Sequence, residues 1–292
     1  MIILFDIGGT RMRIAGTRDG KEFSDPIINL TPQNFDEATA LFEKVAGEVA
    51  GSEKIDQIIG GMTGIFNQDH SELLSSPHLP HWTGKPLKYS LEKFSGAKVT
   101  LKNDSTMVGL GEAVYGAGRG SGILVYITVS TGVGGARFIN NQIEHSKLGF
   151  EPGHQIMNIQ TKTDKFALFN FGQRTNLDRM NLVTLEDLIS GSALEKKLGR
   201  APKEITDSKV WDECAYVLAI GLHNTFLHWS PDRLVLGGAM FNEQRISVEK
   251  VKEYLAKIAR VPQEIPEIKK AELKDSGGLY GSMALYNQLL SK

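Results

Sequence analysis

The chain has one cysteine, Cys214, among its 292 residues. A single cysteine cannot close a disulfide within the chain, and it cannot supply a metal site built from several thiolates. The sequence therefore excludes a disulfide-stapled small domain and a multi-cysteine metal centre.

An excess of charge of one sign is also missing. The chain carries 33 Lys and Arg against 34 Asp and Glu, for a formal net charge of −1, and no run of basic residues. Without a positive field, nucleic acid and anionic membranes are excluded as partners. The apolar start covers only about five residues, against the roughly 20 that span a bilayer, and it lacks a basic leader. We expect a cytoplasmic protein that does not bind membranes.

Two common nucleotide-binding patterns are absent as well. No G-x-x-x-x-G-K-[ST] string occurs, and no turn has the form G-x-G-x-x-G at the start of a helix. Any nucleotide site in this chain therefore has to use a different backbone arrangement.

The order of predicted elements indicates an α/β protein with an internal duplication. With 41% apolar residues, the chain can bury the core of one large or two medium domains. Periodicity predicts strands and a capped helix in the first half, and a similar order in the second. The predicted strands are 1–5, 11–17, 21–28, 55–60, 99–102, 122–128, 135–139, 142–146 and 233–236. The predicted helices are 36–50 (capped by Asn34), 105–115, 182–198, 210–229, 248–259 and 280–290.

A glycine-rich stretch near 117–121 lies between the two strand-rich halves. It is either a plain surface loop or a hinge, and its placement favours a hinge. We therefore expect a small α/β domain over 1–117 and a large one over 118–292. The closing segment 280–292 is a candidate to pack on the first domain.

Two glycine turns follow predicted strands about half a chain apart. Asp6, Gly8, Gly9 and Thr10 belong to the first turn, and the second runs over 129–135. Glycine lets the backbone approach an anion, and threonine adds a hydroxyl donor. A tight hairpin corner explains the first turn alone equally well. Facing one another, the two turns would clasp a nucleoside triphosphate between two domains, and a third pair, Gly237–Gly238, would receive an adenosine.

Asp104 is the candidate catalytic carboxylate, because it ends a predicted strand and opens a predicted helix. The plain alternative is that Asp104 is an N-cap with no chemistry. Phosphoryl transfer to an alcohol needs a carboxylate that orients the hydroxyl and accepts its proton. Glu151 and His154 flank a Pro-Gly pair and suit adjacent hydroxyls, although a histidine taken singly is more simply a structural residue.

Together these segments resemble the ROK family of bacterial sugar kinases and sugar-responsive repressors. The resemblance covers nearly the whole chain, and the order and spacing of its motifs make it specific. It rests on 6–10, 61–64, 103–104 with 109–112, 131–135, 151–154 and 237–238. It implies the duplicated actin-like ATPase (ribonuclease H-like) fold, with two domains flanking a cleft, and a homodimer.

The resemblance also assigns roles to individual residues. It makes Asp104 the base acting on a sugar 6-hydroxyl, with Mg²⁺ and ATP as cofactors. The sugar contacts would be Gly64, Asn103, Asp104, Glu151, His154 and Asp178. The ATP contacts would be Asp6, Gly8, Gly9, Thr10, Arg11, Thr131, Gly132, Gly237 and Gly238. Arg11 stands where the family usually has lysine and keeps a positive charge near the phosphates.

One segment departs from the family pattern. The family's structural zinc is held by three cysteines and the histidine of a Glu-x-Gly-His motif, but the matching run 169–178 has no cysteine. Tetrahedral zinc needs four ligands, so we expect no structural zinc, with Phe166, Phe169 and Phe171 anchoring the loop instead. Asp178 replaces a sugar-contacting glutamate and is one methylene shorter. A metal site at His78 and His81 is not favoured, because no further ligand is near in sequence.

The sequence thus predicts an ATP-dependent hexose kinase with glucose as the first expected substrate. N-acetylmannosamine, N-acetylglucosamine and fructose are the alternatives, and polyphosphate is an alternative donor. A repressor is not favoured, since the chain begins at the first strand without a winged helix ahead of it. A non-catalytic sugar-binding protein is opposed by Asp104 and the two phosphate-type turns.

Overall fold

A computed structural model describes residues 1–67, 70–76, 78–147, 149–161, 180–242, 245–260 and 264–291. The chain forms two compact units that interleave along the sequence. The first comprises Met1–Tyr126, Ala136–Gly149 and Ala271–Lys292, and the second comprises Ile127–Gly135 and Phe150–Lys270. The first unit holds the closing segment 280–292, which is the candidate to pack on the first domain, and it differs from the expected domain 1–117 by including residues 118–126 and 136–149.

The described residues form the following strands and helices. The strands are β1 (Ile2–Ile7), β2 (Arg11–Thr17), β3 (Ile27–Leu30), β4 (Gln57–Met62), β5 (Ile65–Phe66), β6 (Leu73–Ser75), β7 (Lys98–Asn103), β8 (Ile123–Val129), β9 (Val133–Ile139), β10 (Gln142–Ile143), β11 (Ile156–Thr161), β12 (Met180–Thr184), β13 (Arg233–Gly237) and β14 (Glu267–Lys270). The helices are α1 (Phe35–Ala50), α2 (Leu87–Ser95), α3 (Asp104–Tyr115), α4 (Leu185–Ile189), α5 (Gly191–Leu198), α6 (Ser208–Trp229), α7 (Val248–Ile258) and α8 (Gly277–Leu290).

The first unit is built on a five-stranded sheet in the order β3-β2-β1-β4-β7. Strand β1 pairs antiparallel with β2 and parallel with β4, and β4 pairs parallel with β7. One sheet face packs on α1 and α2 in a continuous apolar core, and the other face meets α3 and α8. All six residues of β1 are buried, as expected for a strand covered on both faces.

The second five-stranded sheet repeats this plan, in the order β10-β9-β8-β13-β14. In both sheets the first three strands follow one another across the sheet, and the next two are added on the far side of the first. The shared order confirms the predicted duplication. The β11–β12 hairpin and the packed pair α6 and α7 belong to the second unit.

Several predicted elements match the structure closely. Asn34 caps α1 by accepting from the N–H groups of Asp36 and Glu37, as expected. Strand β2 has the predicted bounds, and α6 ends at Trp229, ahead of Pro231.

Two predicted elements were wrong. The strand expected over 21–28 begins only at Ile27, since Pro26 has no N–H to donate to the ladder. The helix expected over 182–198 is a strand end followed by two short helices. Thr184 starts α4 with a capping box, and Ser190 has an extended ψ of 157° and starts α5. This break lets the Gly191 N–H donate to the Ser130 carbonyl at 2.7 Å.

Helix α3 packs on α8 with almost no side chain between the backbones. A Cβ on Gly281 would overlap the Met107 carbonyl, and one on Gly111 would lie 2.5 Å from the Gly277 carbonyl oxygen. Such contacts bring α8 against the helix that begins at Asp104. No helix among the described residues has the length and apolar character needed to cross a membrane.

Glu112, on α3, is fully buried and bonds to backbone groups from two other segments of the first unit. Its Oε2 accepts from the Ala117 N–H at 2.8 Å, and its Oε1 accepts from the N–H groups of Glu272 and Leu273 at 2.9 and 2.8 Å. The glycine-rich stretch is thereby tied to α3, which is the physical reason it falls within this unit.

Replacing Glu112 with alanine should lower the free energy of unfolding by about 2 to 4 kcal/mol, because one buried and two partly buried N–H groups lose a charged acceptor. Urea unfolding followed by circular dichroism measures the change. Glu48→Ala is the matched control, since its pair with Lys44 is exposed and 3.9 Å long, and it should change stability by less than about 0.5 kcal/mol. Equal effects of the two substitutions would contradict a special role for Glu112.

Candidate active site

The first glycine turn joins β1 to β2, as predicted, and leaves its outer residues accessible. The Gly8 N–H donates to the Arg11 carbonyl at 2.9 Å, and the Thr31 hydroxyl donates to the Gly8 carbonyl at 2.8 Å. Thr10 and Arg11 are exposed. The turn is therefore anchored from behind by the segment after β3, and Thr10 and Arg11 face solvent.

Asp6 is the last residue but one of β1 and is buried. Its Oδ2 accepts from Arg13 at 3.3 Å, and Arg13 also lies 3.5 Å from Asp275. Burial, followed by repulsion from Asp104, raises the pKa of Asp6 to about 7 in spite of Arg13. Asp6 and Asp104 are thus close enough to interact electrostatically.

Asn103 and Asp104 lie at the start of α3. The sequence left open whether Asp104 is only the N-cap of this helix, and the structure gives that role to Asn103. Asn103 is the N-cap, accepting from the Thr106 N–H at 3.2 Å, and its Nδ2 donates to the Gly64 carbonyl at 3.0 Å. Asp104 is the first helical residue. A neighbour does the capping, so the capping role does not account for Asp104.

The Asp104 carboxylate is partly buried at the helix N-terminus. Loss of hydration raises its pKa, and hydrogen bonds from Ser105 and Thr63, together with His78, act in the opposite direction. The Ser105 N–H donates to Oδ1 at 2.8 Å. A carboxylate with a raised pKa is a stronger base than a fully hydrated one.

His78 lies over the first glycine turn. A Cβ on Gly9 would lie 2.5 Å from the Cβ of His78, so the turn and the histidine can approach only because residue 9 is glycine. Since His78 also interacts with Asp104, it lies near both the turn and the carboxylate. Gly64 has a φ of 130°, a conformation that favours glycine. A Cβ added to Gly64 would lie 3.0 Å from the Cβ of Ser76, so the two residues are close neighbours.

The second glycine turn lies in the second unit, between β8 and β9. Thr131 is exposed, and the Val133 N–H donates to Glu186 Oε2 at 2.7 Å. A Cβ on Gly132 would lie 2.7 Å from the same oxygen. Glu186 thus fixes the shape of this turn.

Glu151 and His154 lie at the ends of a short 3-10 turn, Pro152–His154. Both side chains are exposed, and His154 Nε2 lies 3.9 Å from Glu151 Oε2. Gly153 packs directly on the Val133 backbone, where a Cβ would overlap the carbonyl oxygen. The second unit therefore places this turn against the second glycine turn.

Gly237 ends β13, and Gly238 follows with a φ of 95°. A Cβ on Gly238 would lie 2.6 Å from the Thr128 hydroxyl oxygen, at the end of β8. The predicted adenosine pair therefore adjoins the strand that leads into the second glycine turn.

Some predictions fall outside the described residues. Asp178 and the run 169–178 are not described, so the loop-anchoring role of Phe166, Phe169 and Phe171 stays a prediction. In the described part of the chain, no three His, Cys, Asp or Glu side chains are grouped to hold a metal ion. The expectation of no structural zinc continues to rest on the sequence.

Four residues near these sites were missed or set aside by sequence reasoning: Arg13, Thr63, His78 and Glu186. Arg13 had a detectable signal, since pairing of β1 with β2 puts it opposite Asp6. Thr63 lies within the segment 61–64, in which only Gly64 was assigned a role. His78 and Glu186 reach their places through loop and helix packing that the sequence does not specify.

Comparison with known proteins identifies the family. The model of the ROK family matches residues 2–289. The chain belongs to the ROK family. A Thermotoga maritima glucokinase is 30% identical over 53% of this chain and 50% of that protein. An N-acetyl-D-glucosamine kinase of Photobacterium profundum is 26% identical over 96% of this chain and 97% of that protein.

Solved ROK structures confirm the predicted duplicated actin-like fold. A ROK hexokinase from Thermus thermophilus has a TM-score of 0.76 at 23% identity, covering 100% of this chain and 99% of that chain. A ROK transcriptional regulator, a homolog of the E. coli MLC protein, has a TM-score of 0.78 at 16% identity, covering 99% of this chain and 78% of that one. At these identities the likeness shows the fold alone.

The pKa of Asp6 leads to a prediction about pH and stability. Because the folded-state pKa, about 7, lies above the ordinary value of 3.8, the folded protein binds this proton more tightly than the unfolded chain. Asp6 should then lower stability as the pH rises from about 4 to 7, with a slope of at most about 1.4 kcal/mol per pH unit.

Urea unfolding of the wild type and Asp6→Asn at pH 5, 6, 7 and 8 measures this effect. The amide of the substituted asparagine cannot titrate, so the variant should gain stability relative to the wild type as the pH rises. Stability curves that stay parallel across this range would contradict the raised pKa of Asp6.

Proposed function

We propose that this ROK protein is an ATP-dependent hexose kinase that transfers the γ-phosphoryl group to a sugar 6-hydroxyl. The observation that carries the proposal is the placement of Asp104 in the first unit. It lies at the N-terminus of α3, interacts with Asp6 at the end of β1, and shares His78 with the first glycine turn. A base and a phosphate-type turn are thus neighbours.

Strand register explains this placement. Ile7 of β1 pairs with Met62 of β4, which pairs with Asn103 of β7. Since parallel strands deliver their carboxyl ends to the same sheet edge, the first glycine turn, Thr63–Gly64 and Asn103–Asp104 emerge side by side. Three separate parts of the sequence therefore meet at one edge of the sheet, which supports the proposal.

In the proposed reaction Asp104 accepts the proton of the sugar 6-hydroxyl. The O–H bond breaks as the hydroxyl oxygen forms a bond to the γ-phosphorus, and the bond to the β-phosphate oxygen breaks to release ADP. The raised pKa of Asp104 suits it to this transfer. Thr63 and the Ser105 N–H hold the carboxylate in one orientation.

The other roles are assigned by the same proposal. In the first unit, Thr10, Arg11 and the N–H groups of the turn bind phosphate. Asn103 keeps one amide N–H, beyond its bond to Gly64, for a ring hydroxyl. In the second unit, Thr131–Gly132 bind phosphate, Gly237–Gly238 bind the adenosine, and Glu151 and His154 bind hydroxyls near the anomeric end.

One carboxylate of the first unit fits a magnesium ion. Asp6 is an oxygen donor of the kind that Mg²⁺ prefers, and repulsion from Asp104 contributes to its raised pKa. Asp6 would hold the ion delivered with ATP, which would neutralise phosphate charge, and Asp104 would stay unligated as the proton acceptor.

Relatives support the kinase class and leave the sugar open, because the matched proteins include a glucokinase and an N-acetyl-D-glucosamine kinase. We propose glucose as the first substrate to test, with N-acetylhexosamines and fructose next. The homodimer and the cytoplasmic location remain proposals from the family resemblance and the sequence.

Asp104→Asn should lower kcat by about a hundredfold or more, because asparagine cannot accept the proton. Because the asparagine side chain has nearly the same size as that of aspartate, sugar affinity should change by less than about threefold. Coupled measurement of ADP release gives kcat, and calorimetric titration gives sugar affinity. Turnover close to that of the wild type would remove Asp104 from the role of base.

The substrate is tested by initial rates with glucose, N-acetylmannosamine, N-acetylglucosamine and fructose, with ATP or polyphosphate as donor. We expect ATP-dependent phosphorylation of at least one sugar, with the highest kcat/KM for glucose. Sugar binding without phosphorylation by the wild type would favour a non-catalytic sugar-binding protein.

A further inference from the structure

Gln155 follows His154 directly, and its side-chain amide is bonded at both ends. Its Nε2 donates to the Pro152 carbonyl at 2.8 Å, and its Oε1 accepts from Asn224 Nδ2 at 3.1 Å. Nε2 also lies 3.5 Å from the Thr225 hydroxyl. The side-chain amide of Gln155 therefore stabilises the 3-10 turn through Pro152 and joins the turn to α6 through Asn224.

The main chain of Gln155 is held as well. Its carbonyl accepts from the Leu185 N–H at 3.1 Å, at the start of α4, and its N–H donates to the Pro152 carbonyl at 3.4 Å. Position 221 of α6 has no room for a side chain, since a Cβ there would lie 2.7 Å from Leu185 and 3.4 Å from Gln155 Nε2. Helix α6 can therefore approach the turn closely.

This anchoring lies next to two exposed side chains in the same turn. Glu151 and His154 are 42% and 56% exposed, and 3.9 Å separates their nearest charged atoms. Ligand contacts by exposed side chains depend on the backbone beneath them being fixed before the ligand arrives. In this turn the adjacent residue that provides such fixing is Gln155.

We infer that Gln155 is a positioning residue, which, through Asn224 of α6, holds Glu151 and His154 in the geometry that binds the sugar. The inference rests on the proposed function of the Glu151–His154 turn. It adds a residue that does not touch the substrate, and it assigns α6 the task of supporting the sugar side of the second unit.

A role of this kind should affect sugar binding and leave the phosphoryl-transfer step nearly unchanged. Gln155→Ala and Asn224→Ala should each raise the sugar KM about five- to tenfold, the usual effect of one lost neutral hydrogen bond. We expect kcat and the KM for ATP to stay within about twofold. Because both substitutions remove the same bond, the double variant should be little worse than the weaker-binding single variant.

The experiment measures steady-state kinetics for the wild type, the two single variants, the double variant and Gln288→Ala. Gln288 is the matched control, because its amide donates to the Asn141 carbonyl at 2.7 Å in the first unit. Removing that bond should leave the sugar KM unchanged. Thermal unfolding checks that each variant is folded. If Gln155→Ala does not fold, Asn224→Ala tests the same hydrogen bond by itself.

Calorimetric titration with the sugar, without ATP, gives a second readout that does not depend on turnover. Weaker sugar binding by both single variants, with non-additive effects, supports the inference. Unchanged affinity, additive effects, or equal losses in kcat and both KM values would overturn it. An inactive wild type that still binds sugar overturns the kinase proposal alone, whereas a wild type that binds no sugar overturns both.

Discussion

The first unit depends on a close contact between glycine-bearing backbones. Gly111 and Gly281 let α3 and α8 meet without intervening side chains, and an ideal Cβ on Gly278 would lie 2.7 Å from the Asp6 carboxyl carbon. The same packing covers the sheet face from which Asp6 projects and positions the helix that begins at Asp104. Two carboxylates are thereby drawn out of water at the end of one sheet, where charge is costly. Replacement of either glycine would separate the elements that create this environment.

The charges of Asp6 and Asp104 depend on opposing influences. Loss of hydration raises the pKa of each carboxylate. Arg13 acts to lower the pKa of Asp6, and hydrogen bonds from Ser105 and Thr63 act to lower that of Asp104. A cation bound at Asp6 would favour its ionised form, and removal of that cation would favour its protonation. Such binding would offset part of the cost of burying the Asp6 charge in the proposed complex with ATP.

Much of this arrangement could be predicted from the sequence, and the limits have physical reasons. The glycine turns, the Asn34 cap and the strand before Asp104 depend on neighbouring residues, so local patterns indicate them. The break at Ser190 depends on a bond from Gly191 to Ser130, about 60 residues away in the chain. His78 was set aside because His78 and His81 have no further metal ligand near them in sequence, and its approach to the first glycine turn depends on the absence of a side chain at Gly9. Long-range contacts of this kind are invisible to periodicity.

The two units hold their candidate ligand-binding turns in place with different hydrogen bonds, and neither unit uses cysteine for this among the described residues. In the first unit, Thr31 bonds to the back of the glycine turn. In the second unit, Glu186 and Gln155 supply the anchoring, through bonds to Val133, Pro152 and Asn224. In the second unit each of these bonds joins a turn to a helix or to its own backbone, so the packed helix restricts the movement of the turn. Hydrogen bonds to a packed helix can therefore fix an exposed ligand-binding turn, provided that both ends of the bonding side chain are satisfied, as they are in Gln155.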